Sequence, residues 1–341
     1  MIGRVLLVAW LLVLTFQQAN AADSLVPSEA RRSAEQTLLT YPEWFLVHSP
    51  AEYARTLRAS PPHAFPFLAH TGQLWSAYGT VTHEQLRSDY PANLGYHTMI
   101  LVLATSTTVE YSLRSAYENT LGRTSWALAG NALTAEDRFA ATAAQEYVDF
   151  IRQEPWYLFD FSARLKALWT EVPLWGPSLI RKWERRYALT SEYVIKALYA
   201  KAIEAATRAT YDVALMNTDV VIDAPPQPLH LPSKVDLLQT YADGTQLLSL
   251  PRYYDFRLAA AALAQQGAHI TDIAGNQGDI LVTIWVDSSQ PLPQGRVLFT
   301  QDIQTPDHTK RVGMLMQVTE LSAFLVNAGP GHYQVEHVHD Y

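Results

Sequence analysis

Between Asp223 and Pro232 the chain places four prolines in ten residues. Proline fixes φ, offers no amide donor and disfavours helix in the residue before it, so this stretch breaks any continuous helix and reads as a stiff interdomain linker. The punctuation differs on its two sides. From Val26 to Asp212 caps and apolar stripes recur at helical spacing, whereas beyond the prolines short alternating runs have the period of strands. The reading is an α+β protein: a helical, tryptophan-rich domain over 26–215, a linker at 216–234 and a smaller α+β domain over 235–341.

Composition narrows the chemistry. Across 341 residues, 48% are apolar and 17% charged, enough for packed cores and outside the disordered class. There is no cysteine, which removes thiol nucleophiles, thiolate metal sites and disulfides. Any catalyst here is built from His, carboxylate, hydroxyl or amine groups. The net charge is -8, with thirteen acidic against six basic residues in 213–341. No segment has the basic surplus that releases counterions from phosphate, which argues against a nucleic-acid partner.

The N-terminus has the layout of a Sec-type signal peptide: Arg4, an apolar run from Val5 to Phe16, and Ala19-Asn20-Ala21 as a small-x-small cleavage site. Twelve residues extend about 18 Å as helix, short of a bilayer core of about 30 Å. The expectation is a signal peptide over 1–21 and a periplasmic or inner-membrane-associated protein of the bacterial envelope. The competing reading keeps the run, with Trp10, as an N-terminal membrane anchor.

In the helical domain, Ser49-Pro50-Ala51-Glu52 and Thr134-Ala135-Glu136-Asp137 read as capping boxes, and Thr190 opens a further helix. Leu94–Ser112 is the most apolar stretch outside the signal and is expected as a buried core helix ending at a C-cap glycine, Gly122. The alternative is a second membrane span at 94–112, which has to bury His97 and Glu110. Those two lie 13 residues apart, about 20 Å along a helix, so they cannot share one site. Glu43, Glu154 and Asp160 sit among large aromatics, where desolvation can turn a carboxyl into a general acid. With Glu110 they are the acid-base candidates, and the plainer role for each is a cap or an arginine partner. From Arg164 to Arg186, Trp169, Trp175 and Trp183 alternate with Arg181, Lys182, Arg185 and other cations, a mixture that settles at a headgroup layer. A membrane surface is therefore an expected partner, against a solvated helix pair with its rings in a core.

Beyond the linker, the strand and helix order is that of a ferredoxin-like split βαβ sandwich. Its last strand, His332–Tyr341, has the densest ligand chemistry: alternation puts His337 and His339 on one face and Glu336 and Asp340 on the other. Two histidines at i, i+2 can chelate a divalent metal if His269 or His308 supplies a third ligand. The alternative is a pair of histidines satisfied on a half-buried face. No phosphate loop, nucleophile elbow or His-Glu-x-x-His pair occurs. The chain reads first as a non-enzymatic ligand- or partner-binding protein on the periplasmic face of the inner membrane. The alternatives are a metal-dependent or acid-base hydrolase and an integral membrane protein.

Overall fold

The computed structural model describes residues 24–210, 216–225, 227–303, 308–329 and 332–340, with side chains except at 205–210. The signal segment 1–21 and Tyr341 lie outside the described residues. The architecture is α+β, helices first and strands after. Helices α1 (Gln36–Leu57), α2 (Phe67–Arg87), α3 (Leu94–Tyr117), α4 (Arg123–Leu128), α5 (Ala135–Ile151), α6 (Phe161–Thr170) and α7 (Leu179–Thr210) come first. α1 touches α2, α3, α5 and a sheet.

Thr134 caps α5 as expected, with its hydroxyl accepting from the Asp137 amide and the Asp137 carboxylate accepting from the Thr134 amide. Ser49 caps nothing. α1 runs straight through it with Pro42 and Pro50 inside, at a cost of about 3 kcal/mol for each interior proline. Against that cost stand Leu38, Leu39, Tyr41, Trp44, Phe45 and Leu57 of α1, all buried, each stabilising by about 1.5–3 kcal/mol. Burial wins over the broken ladder.

Gly122 does not end α3. The chain passes through one π turn, Glu118–Gly122, into α4, and the Gly122 carbonyl accepts from Arg181 Nη1 at 3.0 Å. α3 buries only Ile100, Ala104, Thr107 and Tyr111, while Leu94, Val102, Val109 and Leu113 face outward. It is therefore neither a helix buried all round nor a second span: among the described residues no helix is long and apolar enough to cross a membrane.

Four of the six cations of the Arg164–Arg186 region turn inward, Arg164 and Lys166 staying at the surface. Arg181 pairs with Asp137, Lys182 and Arg186 share Glu136, and Arg185 meets Glu118; all four are essentially buried. Trp169, Trp175 and Trp183 face out, at 44%, 71% and 40% exposed. This reverses the arrangement expected at a headgroup layer, because acids in the first turn of α5 and in the π turn claim the guanidinium and ammonium groups.

The strands form two antiparallel sheets. The first holds β1 (Asn217–Ile222), β2 (Asp236–Thr240), β3 (Gln246–Pro251) and β4 (Ile270–Ile273) in the order β2-β3-β1-β4. The second holds β5 (Asp279–Asp287), β6 (Arg296–Ile303), β7 (Thr309–Gln317) and β8 (Gln334–Val338) in the order β6-β7-β5-β8. Helix α8 (Tyr254–Gln265) precedes β4 and α9 (Val318–Val326) precedes β8, so the same βββαβ module occurs twice with the same pairing. A ferredoxin-like unit would hold two helices on one sheet; here each module contributes one helix, and both helices pack against strands of both sheets. The inner faces and both helices share one core, including Val220, Leu248, Phe256, Leu263, Ile284, Met314 and Leu321.

β1 lies inside the stretch that reads as linker, an inner strand whose short apolar run is crowded by prolines. The proline segment joins β1 to β2, pinned where the His230 amide donates to Gln266 Oε1 at 2.7 Å. The outer face of the second sheet, through Leu281 and Leu315, packs against Leu38, Tyr41, Ala77 and Val81 of α1 and α2. That seam positions the site.

Candidate functional site

α1 lays Thr37, Tyr41, Trp44, His48, Glu52 and Arg55 along one face at intervals of three or four residues, the helical repeat that keeps them in line. Thr37 stitches it to the sheet: its hydroxyl donates to the His339 carbonyl at 2.8 Å and accepts from the Leu281 amide at 2.9 Å. Tyr41 stacks on Phe299 with ring centroids 4.3 Å apart and donates to Gln301 Oε1 at 2.7 Å. Phe299 reaches that position only because Gly313 lies beneath it, where a Cβ would fall 2.2 Å from the ring.

A β-bulge overturns the alternation expected for the last strand. Thr283 pairs with His337 and Ile284 with Val335, so Glu336 is an extra residue between them. Val335 and Val338 consequently share the inner core, and Glu336 is released towards Arg311 rather than into water. Arg311 Nε and Nη2 donate to the two Glu336 oxygens at 2.6 and 2.8 Å, and Nη2 also donates to Glu52 Oε1 at 3.1 Å. Burial alone would lower the Arg311 pKa, but Glu336 and Glu52 hold it above its ordinary value.

From Glu52 a buried polar chain runs into the helical part. Glu52 Oε2 lies 3.4 Å from His70 Nε2, His70 Nδ1 lies 3.0 Å from Ser49 Oγ, and Ser49 Oγ lies 2.8 Å from the Tyr111 hydroxyl. Burial alone would raise the Glu52 pKa, yet the His70 hydrogen bond and the Arg311 charge bring it below the ordinary range. Ser49, His70 and Glu52 have the connectivity of an acyl-transfer triad. All three are fully buried, so no substrate reaches Ser49, and the chain acts as a brace between α1, α2, α3 and the second sheet.

Three histidines line the seam. His337 stacks on Trp44 with centroids 3.6 Å apart, His339 stands edge-on to it at 4.8 Å, and His48 lies between Phe45 and Tyr41. Burial first, joined by Arg311 at His48 and His339 and by His339 and Arg257 at His337, depresses all three: His48 and His337 well below the ordinary value and His339 to about 3. Both His48 nitrogens, His337 Nδ1 and His339 Nε2 are buried without a hydrogen-bond partner. His269 and His308 do not join them. His269 bonds Asp223 and the Thr319 carbonyl at 2.9 Å each, and His308 sits in a turn with φ 61°. Among the described residues no group of three His, Asp or Glu side chains is arranged to hold a metal ion.

The acids singled out for acid-base chemistry are scattered. Glu43 is exposed and accepts from the Tyr96 hydroxyl; Glu154 is exposed. Asp160 caps α6 by accepting from the Ala163 amide at 2.9 Å, and Glu110, half exposed, pairs with Arg114 and Lys196.

Next to the histidines, the seam opens into a pocket of about 260 Å³. One wall is α1, with Trp44, His48 and Arg55; another is the second sheet, with Trp285, Gln334 and Glu336. The third joins Arg152 at the end of α5 to Tyr254 and Arg257 on α8. Arg55 lies over the Trp285 ring at 5.0 Å, and Arg152 and Arg257 lie over the Tyr254 ring at 5.1 and 4.3 Å. The Trp285 indole nitrogen and Arg257 Nε are buried without a hydrogen-bond partner. Just before α8, Tyr253 adopts φ 61° and ψ -135°, a conformation costly for a bulky side chain, and such strain gathers at functional sites. A smaller hollow of about 200 Å³ lies on the first sheet between Arg32 and Asp219.

None of Arg55, Arg257, Trp285 and Arg311 stands out in the sequence, where each is an isolated residue on a separate element. Fold and pocket together define an α+β protein with a helical part seated on paired βββαβ modules and a pocket at the seam. Comparison with protein-family models, curated proteins and solved structures gives no match.

Proposed function

We propose that this chain is an exported, non-enzymatic binding protein of the bacterial envelope, which takes a small ligand in the pocket between α1, α8 and the second sheet. One observation carries the reading: the pocket is walled by aromatic rings and contains buried polar atoms of Trp285, His48 and Arg257 without a protein partner, the combination expected of a ligand site. The sealed Ser49 favours binding over hydrolysis.

The test of binding is thermal denaturation of the mature protein against a set of small metabolites, with Trp285→Phe as the comparison. A compound that raises the wild-type Tm and moves Trp285→Phe less supports the pocket; ligands that stabilise both proteins equally place binding elsewhere. Export rests on the signal layout of residues 1–21. A second reading, contact with the outer face of the inner membrane, is favoured by the exposed row Trp175, Ile180, Trp183 and Tyr187 and works through these side chains, since Arg181, Lys182 and Arg185 are engaged in buried ion pairs.

A further inference from the structure

We propose that the ligand of this pocket is a small organic anion, a carboxylate or phosphate monoester on an apolar body, countered by Arg55, Arg152 and Arg257; the inference rests on the pocket being a ligand site. The charge balance of the walls comes first. Three guanidiniums face one carboxylate, Glu336, and that carboxylate is already held by two donors from Arg311. A chain with net charge -8 thus concentrates positive charge at one concave place, which focuses the field on an incoming anion.

Geometry gives the second argument. Each of the three guanidiniums lies over an aromatic ring. Stacking holds each group in place; Arg257 Nη1 donates to the Val335 carbonyl and Nη2 to the Tyr254 hydroxyl, and Arg152 Nη1 pairs with Asp149 at 3.3 Å, which leaves Arg257 Nε for an oxyanion.

The unpartnered atoms decide the sign. Arg257 Nε and Trp285 Nε1, both buried without a partner, can only donate. An acceptor satisfies them, and a cation or a donor-rich ligand leaves them as costly as before. The remaining lining, including Trp44, Val47, Ala51 and Val335, suits an apolar body. A volume of about 260 Å³ sits at the small end of ligand pockets, so one aromatic ring or a short chain fills it.

The experiment uses four probes of one shape, benzoate, phenyl phosphate, benzamide and benzamidine, titrated into the mature protein at constant ionic strength. Calorimetry and tryptophan fluorescence are the readouts, since Trp44 and Trp285 line the pocket. Benzoate or phenyl phosphate is expected to bind and perturb the fluorescence, the better of the two showing whether carboxylate or phosphate is preferred. The neutral and cationic probes should bind at least roughly tenfold more weakly, and Arg152→Gln, a partly exposed position that leaves the core intact, should cost the anion roughly tenfold in affinity. Trp285→Phe serves as a second variant, removing one donor while keeping a ring. If benzamide binds as well as benzoate and both respond to Trp285→Phe, the pocket stands and its anion preference falls. If no probe binds, or binding ignores both variants, pocket and preference fall together.

Discussion

At the scale of single residues, the buried titratable groups give the protein a pH response with opposing parts. His48, His337 and His339 are held neutral when folded, chiefly by burial, and an imidazole in the unfolded chain titrates near its ordinary value of about 6.5. The unfolded chain takes up protons that the folded chain refuses, so stability is lost as the pH falls from about 6.5 towards 3. Asp340 works the other way. Burial, partly offset by Arg252 and the Thr218 hydrogen bond, lifts its carboxyl from 3.8 to about 7. Between those values the folded chain keeps a proton that the unfolded chain has lost, so stability declines as the pH rises from about 4 to about 7. Urea denaturation across this range should show that Asp340→Asn gains on the wild type as the pH rises towards 7.5, at up to about 1.4 kcal/mol per unit. Parallel curves for the two proteins would contradict the buried carboxyl. Gly313→Ala tests packing at the same scale: a methyl group beneath Phe299 should cost about 1–3 kcal/mol, read as a lower urea midpoint with an unchanged m value, and an unaltered midpoint would mean that the ring does not lie there.

At the scale of elements, the most informative contrast is between two similar tetrapeptides. Thr134-Ala-Glu-Asp137 caps α5, and its Glu136 also holds Lys182 and Arg186. Ser49-Pro-Ala-Glu52 has the same chemistry yet lies in the middle of α1, where it supplies a hydroxyl and a carboxylate to a buried chain. Caps and internal braces use the same residue types, so only the neighbours that arrive from α2, α3 and β7 separate the two. The ion pairs between elements predict large effects from single changes. Glu136→Gln leaves Lys182 and Arg186 charged and buried, and should cost about 3–5 kcal/mol; Arg311→Met removes the buried cation shared by Glu52 and Glu336 and should cost as much. Guanidinium-induced unfolding measures both. A loss below about 1 kcal/mol in either variant would show that these pairs are open to water.

At the scale of the whole molecule, the seam between helices and sheets is where the pocket, the histidines and the polar chain meet. Its formation predicts that the two parts unfold together. Far-ultraviolet circular dichroism, dominated by the helices, and the fluorescence difference between the wild type and Trp285→Phe, which isolates the ring in the second sheet, should report one shared midpoint in urea; two separated transitions would show that the seam contributes little. The proposed location has its own check. Cell fractionation with a carbonate wash and intact mass should give a protein lacking residues 1–21 that washes off the membrane. Full mass in washed membranes would instead establish an anchor.

Much of this organisation was legible in the sequence, because it depends on local periodicity and backbone chemistry. Helices before strands and the Thr134 cap follow from spacing that the backbone imposes. β1 was hidden because its apolar run borders a proline cluster that reads as linker. The inward turn of Arg181, Lys182 and Arg185, and the turn of Glu336 towards Arg311, depend on partners far along the chain. A one-residue bulge is enough to change the phase of a strand, and alternation counted along one strand has no means of seeing it. The sequence by itself determined that helices precede strands and that thiol chemistry is absent. Which polar groups are buried together, and hence where a pocket lies, was decided only by tertiary structure, because a side chain's charge state and partners are set by whatever packs against it and not by its neighbours in the chain.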